Sequence, residues 1–504
     1  MAFIVGLPLV LLGILLLLRR EPLPQWLCLL LSLMFFSLGV LVALGSRVVL
    51  VRFGVGRSPI MLPFRMLMPA YVWPICWIGA LCAFAGIVLA VQFWRRRGRG
   101  GVAVVLSVVL AGLGAGSSLI AARYINQVTK SHQAEFASAF GTDWQQRIAT
   151  RTPKMLQHHW SPVRYSNSGA REDRDVTFAV VPETNRKLLA DLWLPPQGVP
   201  PSGIAFLFFH GSAWHFFDKG MGMEPTFRHL TSQGHVVMDV SYRLAPEADL
   251  VGMVGDVKRS ILWMKTNAGR YGVDPRRIVV AGASAGGQIA MLAAYSPGER
   301  ELTPVDLLGQ DTTVEGVVSY YGPVDMRAYI DHEAGRMTRT GTRAKKKVAL
   351  RPGPMNLEQM MLNVMGGMPD EVPHAYDVAH VASHVTSQAP PSLIFQGEYD
   401  FIVQPRAVHD LVAALHAAHV PVIYIEYPET DHGFDFATVF PKSNGVNLPV
   451  DSQFAPPTES ALYDLDRFLG LLAEGEPRRN RQADQATRQV ASEAIRSGLG
   501  AERR

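Results

Sequence analysis

The sequence predicts an α/β protein: a mainly parallel, doubly wound sheet with a cap insertion, preceded by an all-α transmembrane region. Three observations carry this. Four apolar runs of nearly bilayer length fill the first 125 residues. After them, short apolar and β-branched runs alternate with helix-like segments, the pattern of a parallel sheet covered on both faces. One stretch, 325–391, breaks that alternation and is rich in Met, Gly, Pro and His, as a cap or lid over a site would be.

At 504 residues the chain is too long for one ordinary domain. Its 48% hydrophobic and 18% charged residues ask for a membrane portion. The apolar runs lie at 3–18, 26–50, 71–94 and 102–122, each near the roughly 20 residues that cross a bilayer as a helix. No basic residue precedes the first run, unlike the basic start of a cleaved leader. Within the fourth, Gly112, Gly114 and Gly116 mimic a dinucleotide-binding loop but follow no soluble strand, so close helix packing through Gly112 and Gly116 is expected instead.

Arg19 and Arg20, then Arg95, Arg96, Arg97 and Arg99, crowd into links that a positive-inside bias places in the cytoplasm. The large C-terminal domain is then expected on the extracytoplasmic side of an integral, multi-pass protein. The net charge of +5 comes largely from such arginines, and without interleaved aromatics it gives no case for nucleic acid. Cys28, Cys76 and Cys82 all lie in apolar runs, which excludes a disulfide scaffold.

Residues 1–125 are therefore expected as a four-helix transmembrane region and 126–175 as a stalk or helical lead-in. Residues 176–473 form the sheet domain, with strands at 176–181, 188–194, 204–209, 236–240, 278–281, 314–320, 393–395 and 422–427, the first two as an antiparallel hairpin. In the cap, Arg343, Lys345, Lys346 and Lys347 read as a solvated loop. The tail, 474–504, is charged and poor in aromatics, so disorder is expected.

The chemistry centres on Gly282-Ala283-Ser284-Ala285-Gly286, between a strand and a helix. A serine nucleophile on such a turn needs small neighbours, because the strained backbone leaves no room for side chains. A serine hydroxyl also needs a base to take its proton and a carboxylate to orient that base. Asp400 and His432 follow successive strands in the order serine, acid, histidine, in loops beyond the carboxyl ends of the sheet. Asp431, Asp435 and Glu398 are rival acids, and His380 and His384 are either substrate contacts or surface residues. The segment His210-Gly211-Ser212-Ala213-Trp214 ends another strand, so the N–H groups of Gly211, Ser212 and Ala285 are expected to form an oxyanion hole.

Four motifs in order, His210-Gly211, Ser241-Tyr242-Arg243-Leu244-Ala245-Pro246-Glu247, Tyr271-Gly272-Val273-Asp274-Pro275 and Gly282-Ala283-Ser284-Ala285-Gly286-Gly287, carry a family resemblance. From about Val176 to Leu472 the chain resembles the esterase branch of the α/β-hydrolases, which includes hormone-sensitive-lipase-like and feruloyl-esterase-like enzymes. The resemblance implies the α/β-hydrolase fold and cleavage of a carboxylic ester with no metal or organic cofactor. It also makes Arg243 and Asp256 structural supports and leaves Trp214 and Tyr321 as pocket candidates, with Tyr320 either pocket or core. Where the family carries further glycines after His-Gly, this chain has Ser212 and Ala213. The expected partners are a small-molecule ester or lipid substrate and the membrane. Amide or peptide hydrolysis on the same fold, or a non-catalytic membrane binding protein, are the alternatives.

Overall fold

The computed structural model describes residues 24–49, 62–95, 101–150, 155, 169–339, 357–435 and 455–475. They fall into two compact units. One comprises the described parts of Met1–Ser131, Gly397–Phe401 and Tyr427–Ser460, and the other those of His132–Gln396, Ile402–Glu426 and Ala461–Arg504.

The first unit begins with three helices, α1 (Gln25–Val49), α2 (Leu62–Trp94) and α3 (Gly101–Val128). Helices suit these apolar runs because every backbone polar group is satisfied within the segment. Two stretches, Val72–Trp94 and Val102–Phe140, are long and apolar enough to cross a membrane, whereas the apolar part of α1, Trp26–Leu41, is shorter. The expected first helix, 3–18, lies outside the described residues.

Packing between α2 and α3 corrects the expected glycine contact. A Cβ on Gly112 or Gly116 would meet nothing within 4 Å. One on Gly114 would lie 2.5 Å from Gly79 O and from Ala83 N, and one on Gly86 would lie 2.6 Å from Ser107 O. Gly79, Gly86 and Gly114 therefore let these helices approach backbone to backbone.

The second unit opens with a short lead-in, α4 (Gln133–Phe140) and α5 (Trp144–Arg147). It is packed down: Phe136 and Trp144 are buried with ring centroids 4.8 Å apart, and His132 Nδ1 lies 2.7 Å from Asp464 Oδ2. An eight-stranded sheet follows, of order β1-β2-β4-β3-β5-β6-β7-β8. Its strands are β1 (Arg171–Val181), β2 (Arg186–Leu194), β3 (Gly203–Phe209), β4 (Val236–Ser241), β5 (Val273–Ala283), β6 (Gly316–Tyr320), β7 (Ser392–Gly397) and β8 (Val422–Tyr427). The first two pair antiparallel, as does β2 with β4, and the pairings of β3 with β4 and of β5 with β3 and β6 are parallel. Every strand expected from the sequence is present.

The apolar strands are sealed by α6 (Glu224–Ser232), α7 (Leu250–Tyr271) and α8 (Ala285–Tyr295), the last buried along its whole length. Asp249 caps α7 by accepting from Gly252 N, and Gly272 ends it in the left-handed conformation. In the cap region lie α9 (Met326–Arg339), α10 (Leu357–Met365) and α11 (Pro373–Val378). Met361, Met365 and Tyr376 are buried in the same core as the sheet, so this part of the insertion is packed onto the body. The basic run at 343–347 lies outside the described residues, as does the tail beyond 475. After β7 come α12 (Pro405–Ala417) and, after β8, α13 (Pro456–Glu474).

Candidate active site

Register places the two loops of the second unit side by side. Phe209, the last residue of β3, pairs with Gly282 near the end of β5, and Ala283 pairs with Tyr320 of β6. Ser284 follows at φ +53° and ψ −122°, half-buried at the turn from β5 into α8, with its N–H donating to Tyr320 O across 2.9 Å. This backbone region is closed to most residues bearing a Cβ. The flanking glycines have a steric cause. A Cβ on Gly286 would strike the carbonyl oxygens of Phe209 and His210, and one on Gly282 would strike the Gly286 backbone.

The segment after β3 is held by its own polar network. Tyr242 is buried, donates its hydroxyl to His210 O at 2.9 Å and lies 2.6 Å from Ser212 Oγ, which in turn accepts from Trp214 N at 3.0 Å. The ring of His210 stacks on Tyr242, and burial lowers its pKa to about 4, so it is neutral at ordinary pH. Ala213 and Trp214 take φ of +45° and +62°. A glycine would adopt this left-handed backbone freely, which gives a physical reason for the further glycines in the esterases this chain resembles. Ser212 compensates with the hydroxyl that ties the segment to Tyr242.

Trp214 and Tyr321 are interior residues, 1% and 0% exposed. The indole N–H of Trp214 donates to Gln288 Oε1 at 3.1 Å, and its ring meets Tyr329 edge to face. Gln288, on α8, was not singled out from the sequence, because its role depends on a partner 74 positions away. Arg243 is bound to the buried carboxylate of Asp256 through its backbone N–H, Nε and Nη2, the structural support that the resemblance implied. His384 Nδ1 lies 2.6 Å from Glu299 Oε2, outside the insertion, and its Nε2 lies 2.8 Å from Val378 O, so it ties the insertion to the segment after α8, while His380 is half-buried.

In the first unit, the loops after β7 and β8 bring Asp400 and His432 together. His432 Nδ1 lies 2.9 Å from Asp400 Oδ2, and both side chains are buried. A carboxylate only accepts, so the imidazole donates from Nδ1 and leaves Nε2 as the basic nitrogen. Burial works against the imidazolium, but the charge and hydrogen bond of Asp400, with Asp431 and Asp435 behind it, outweigh burial and raise the His432 pKa above its ordinary value. Asp431 uses Oδ1 to accept the backbone N–H groups of Phe401 and His432, each at 2.8 Å. Glu398 accepts from Glu429 N at 2.9 Å. Among the described residues no group of His, Cys, Asp and Glu has the arrangement of a metal site.

Residues 190–415 match the family model described as BD-FAE. The chain is 28% identical over 266 residues to the probable carboxylic ester hydrolase LipM of Mycobacterium tuberculosis (strain ATCC 25618 / H37Rv), covering 52% of this chain and 56% of that protein. The sheet domain has the α/β-hydrolase fold and is similar to esterases. Esterase LipQ of the same organism is 26% identical over 331 residues, covering 59% of this chain and 72% of that one. Thus the chain spans little more than half the length of LipM and about seven-tenths of LipQ. Among solved structures, a thermophilic esterase from the Planctomycetes species Thermogutta terrifontis aligns with a TM-score of 0.43 at 20% identity, over 60% of this chain and 93% of that one.

Proposed function

We propose that this α/β-hydrolase is a membrane-anchored serine hydrolase that cleaves carboxylic esters through an acyl-enzyme. The observation that carries the reading is the backbone of Ser284. A strained non-glycine residue persists where function requires it, and here the strain presents a hydroxyl at the turn from strand to helix. The buried His432–Asp400 pair supplies the base and its orienting carboxylate, and the relation to LipM and LipQ supports ester chemistry.

In this mechanism His432 Nε2 takes the proton of Ser284 as Oγ adds to the ester carbonyl. The N–H groups of Gly211, Ser212 and Ala285 meet the oxyanion. His432 then protonates the departing alcohol, and water repeats the sequence on the acyl-enzyme to release the acid and restore Ser284. Asp400 holds the Nδ1–H tautomer and stabilises the imidazolium, and the reaction calls on no metal or organic cofactor.

We place the anchor within residues 1–125, the hydrolase domain at 176–473 and its cap at about 325–391. Exposed apolar side chains on the first three helices, Leu30, Leu33, Leu41, Val105, Val108 and Leu119 among them, form a surface suited to lipid. Tethering there favours a lipid or other hydrophobic ester as substrate, and the arginine density favours the extracytoplasmic side for the domain. The test is hydrolysis of short- and long-chain esters by the full chain and by Ser284→Ala. Equal rates in both would sink the serine mechanism.

A further inference from the structure

We infer that the carboxyl end of α3 is a positioning element for His432, acting through Tyr124 and Arg123. The inference rests on His432 being the catalytic base. Tyr124 is 1% exposed, and its hydroxyl lies 2.9 Å from Thr430 Oγ1. Arg123 Nη2 donates to Glu429 Oε1 at 3.2 Å, on a carboxylate side chain only 6% exposed. Those two partners immediately precede Asp431-His432 in the chain.

The tie also reaches the acid. Tyr399 N donates to Thr430 O at 3.0 Å, Glu429 N donates to Glu398 Oε2 at 2.9 Å, and Glu398 and Tyr399 directly precede Asp400. Thr430 Oγ1 further donates to Pro428 O at 2.9 Å, which leaves the tyrosine hydroxyl as the donor to Thr430. Glu429 holds φ +54°, a left-handed conformation that costs a non-glycine residue energy and must be held by its neighbours. The buried tyrosine and the arginine charge supply that hold from a helix of the apolar region. The helical region therefore does more than tether the hydrolase: it fixes the loop on which the imidazole is presented.

A role in packing alone predicts lower stability with unchanged kinetics. Positioning predicts a lower kcat at unchanged KM, and a shifted pH profile, because a loosened loop weakens the Asp400 contact that raises the His432 pKa. The experiment uses the full chain in detergent micelles with a short-chain nitrophenyl ester. Tyr124→Phe and Arg123→Ala should each lower kcat about three- to tenfold, with the acid limb of kcat/KM moved to lower pH. Thr430→Ser should retain wild-type rates, Thr430→Val should match Tyr124→Phe, and the double variant should be no worse than either single one. Wild-type kcat and pH profile in Tyr124→Phe, or strictly additive losses in the double variant, would overturn the inference. Fluorophosphonate labelling of the wild type separates the two readings. An unlabelled, inactive wild type defeats the hydrolase reading and this inference together, whereas a labelled, active one with unaltered Tyr124→Phe kinetics defeats this inference alone.

Discussion

At Ser284, stability and chemistry pull in opposite directions, and two substitutions separate them. At φ +53° and ψ −122° its Cβ is the source of the strain, worth about 1–3 kcal/mol. Ser284→Gly removes that atom, while Ser284→Ala keeps it and removes only the hydroxyl. Glycine gives back about 0.5–1 kcal/mol through the greater freedom of its unfolded chain. The N–H bond to Tyr320 O is available to both variants. The glycine variant should therefore be the more stable by about 1 kcal/mol, a rise in Tm of about 2–4 °C, with both variants inactive. Thermal unfolding in one detergent, followed by near-ultraviolet circular dichroism, reads the difference. A glycine variant melting at or below the alanine variant would refute the claim that the elbow stores strain.

Asp400→Asn should lower kcat by about 10⁴-fold by removing the carboxylate that fixes the His432 tautomer. Asp431→Asn, which keeps an oxygen for the Phe401 and His432 N–H groups, should cost under about tenfold, as steady-state kinetics on both variants will show. The pH dependence has a definite sign. The base must be neutral, and the His432 pKa is raised, so kcat/KM should climb through an apparent pKa above the ordinary histidine value of about 6.5 and fall as pH drops below it. The same shift stabilises the fold fully below the ordinary value, and that contribution fades as pH rises through the folded one. Gly286→Ala should abolish activity and lower the melting temperature, because the new Cβ meets the Phe209 and His210 carbonyls; a variant with wild-type kinetics would contradict that steric reading.

The strands were legible because each is a short apolar run closed by turn residues, and a parallel sheet buried on both faces demands such runs. Their ends were less so. β1 extends back to Arg171 through the polar residues Glu172, Asp173 and Arg174, and β5 starts at Val273 ahead of Asp274, Arg276 and Arg277, where pairing rather than hydrophobic pattern sets the limit. The elbow was legible for a local reason, since the steric demands on Gly282 and Gly286 come largely from neighbours on the turn and an adjoining strand end. Which glycine serves helix packing was not, because the facing side of α3 is set by α2, and Gly114 rather than Gly112 or Gly116 meets it. Order along the chain favoured Asp400 over Asp431, but the contact of Asp400 with His432 needs side-chain direction, which the sequence lacks. The link from Tyr124 to Thr430 spans 306 positions and leaves no local signature.

The most direct test of the mechanism is to react the full chain with a fluorophosphonate and map the adduct by peptide mass spectrometry. A serine hydrolase of this design carries the label on Ser284, and Ser284→Ala neither labels nor hydrolyses esters. An adduct on another residue, or ester hydrolysis that survives Ser284→Ala, would contradict it.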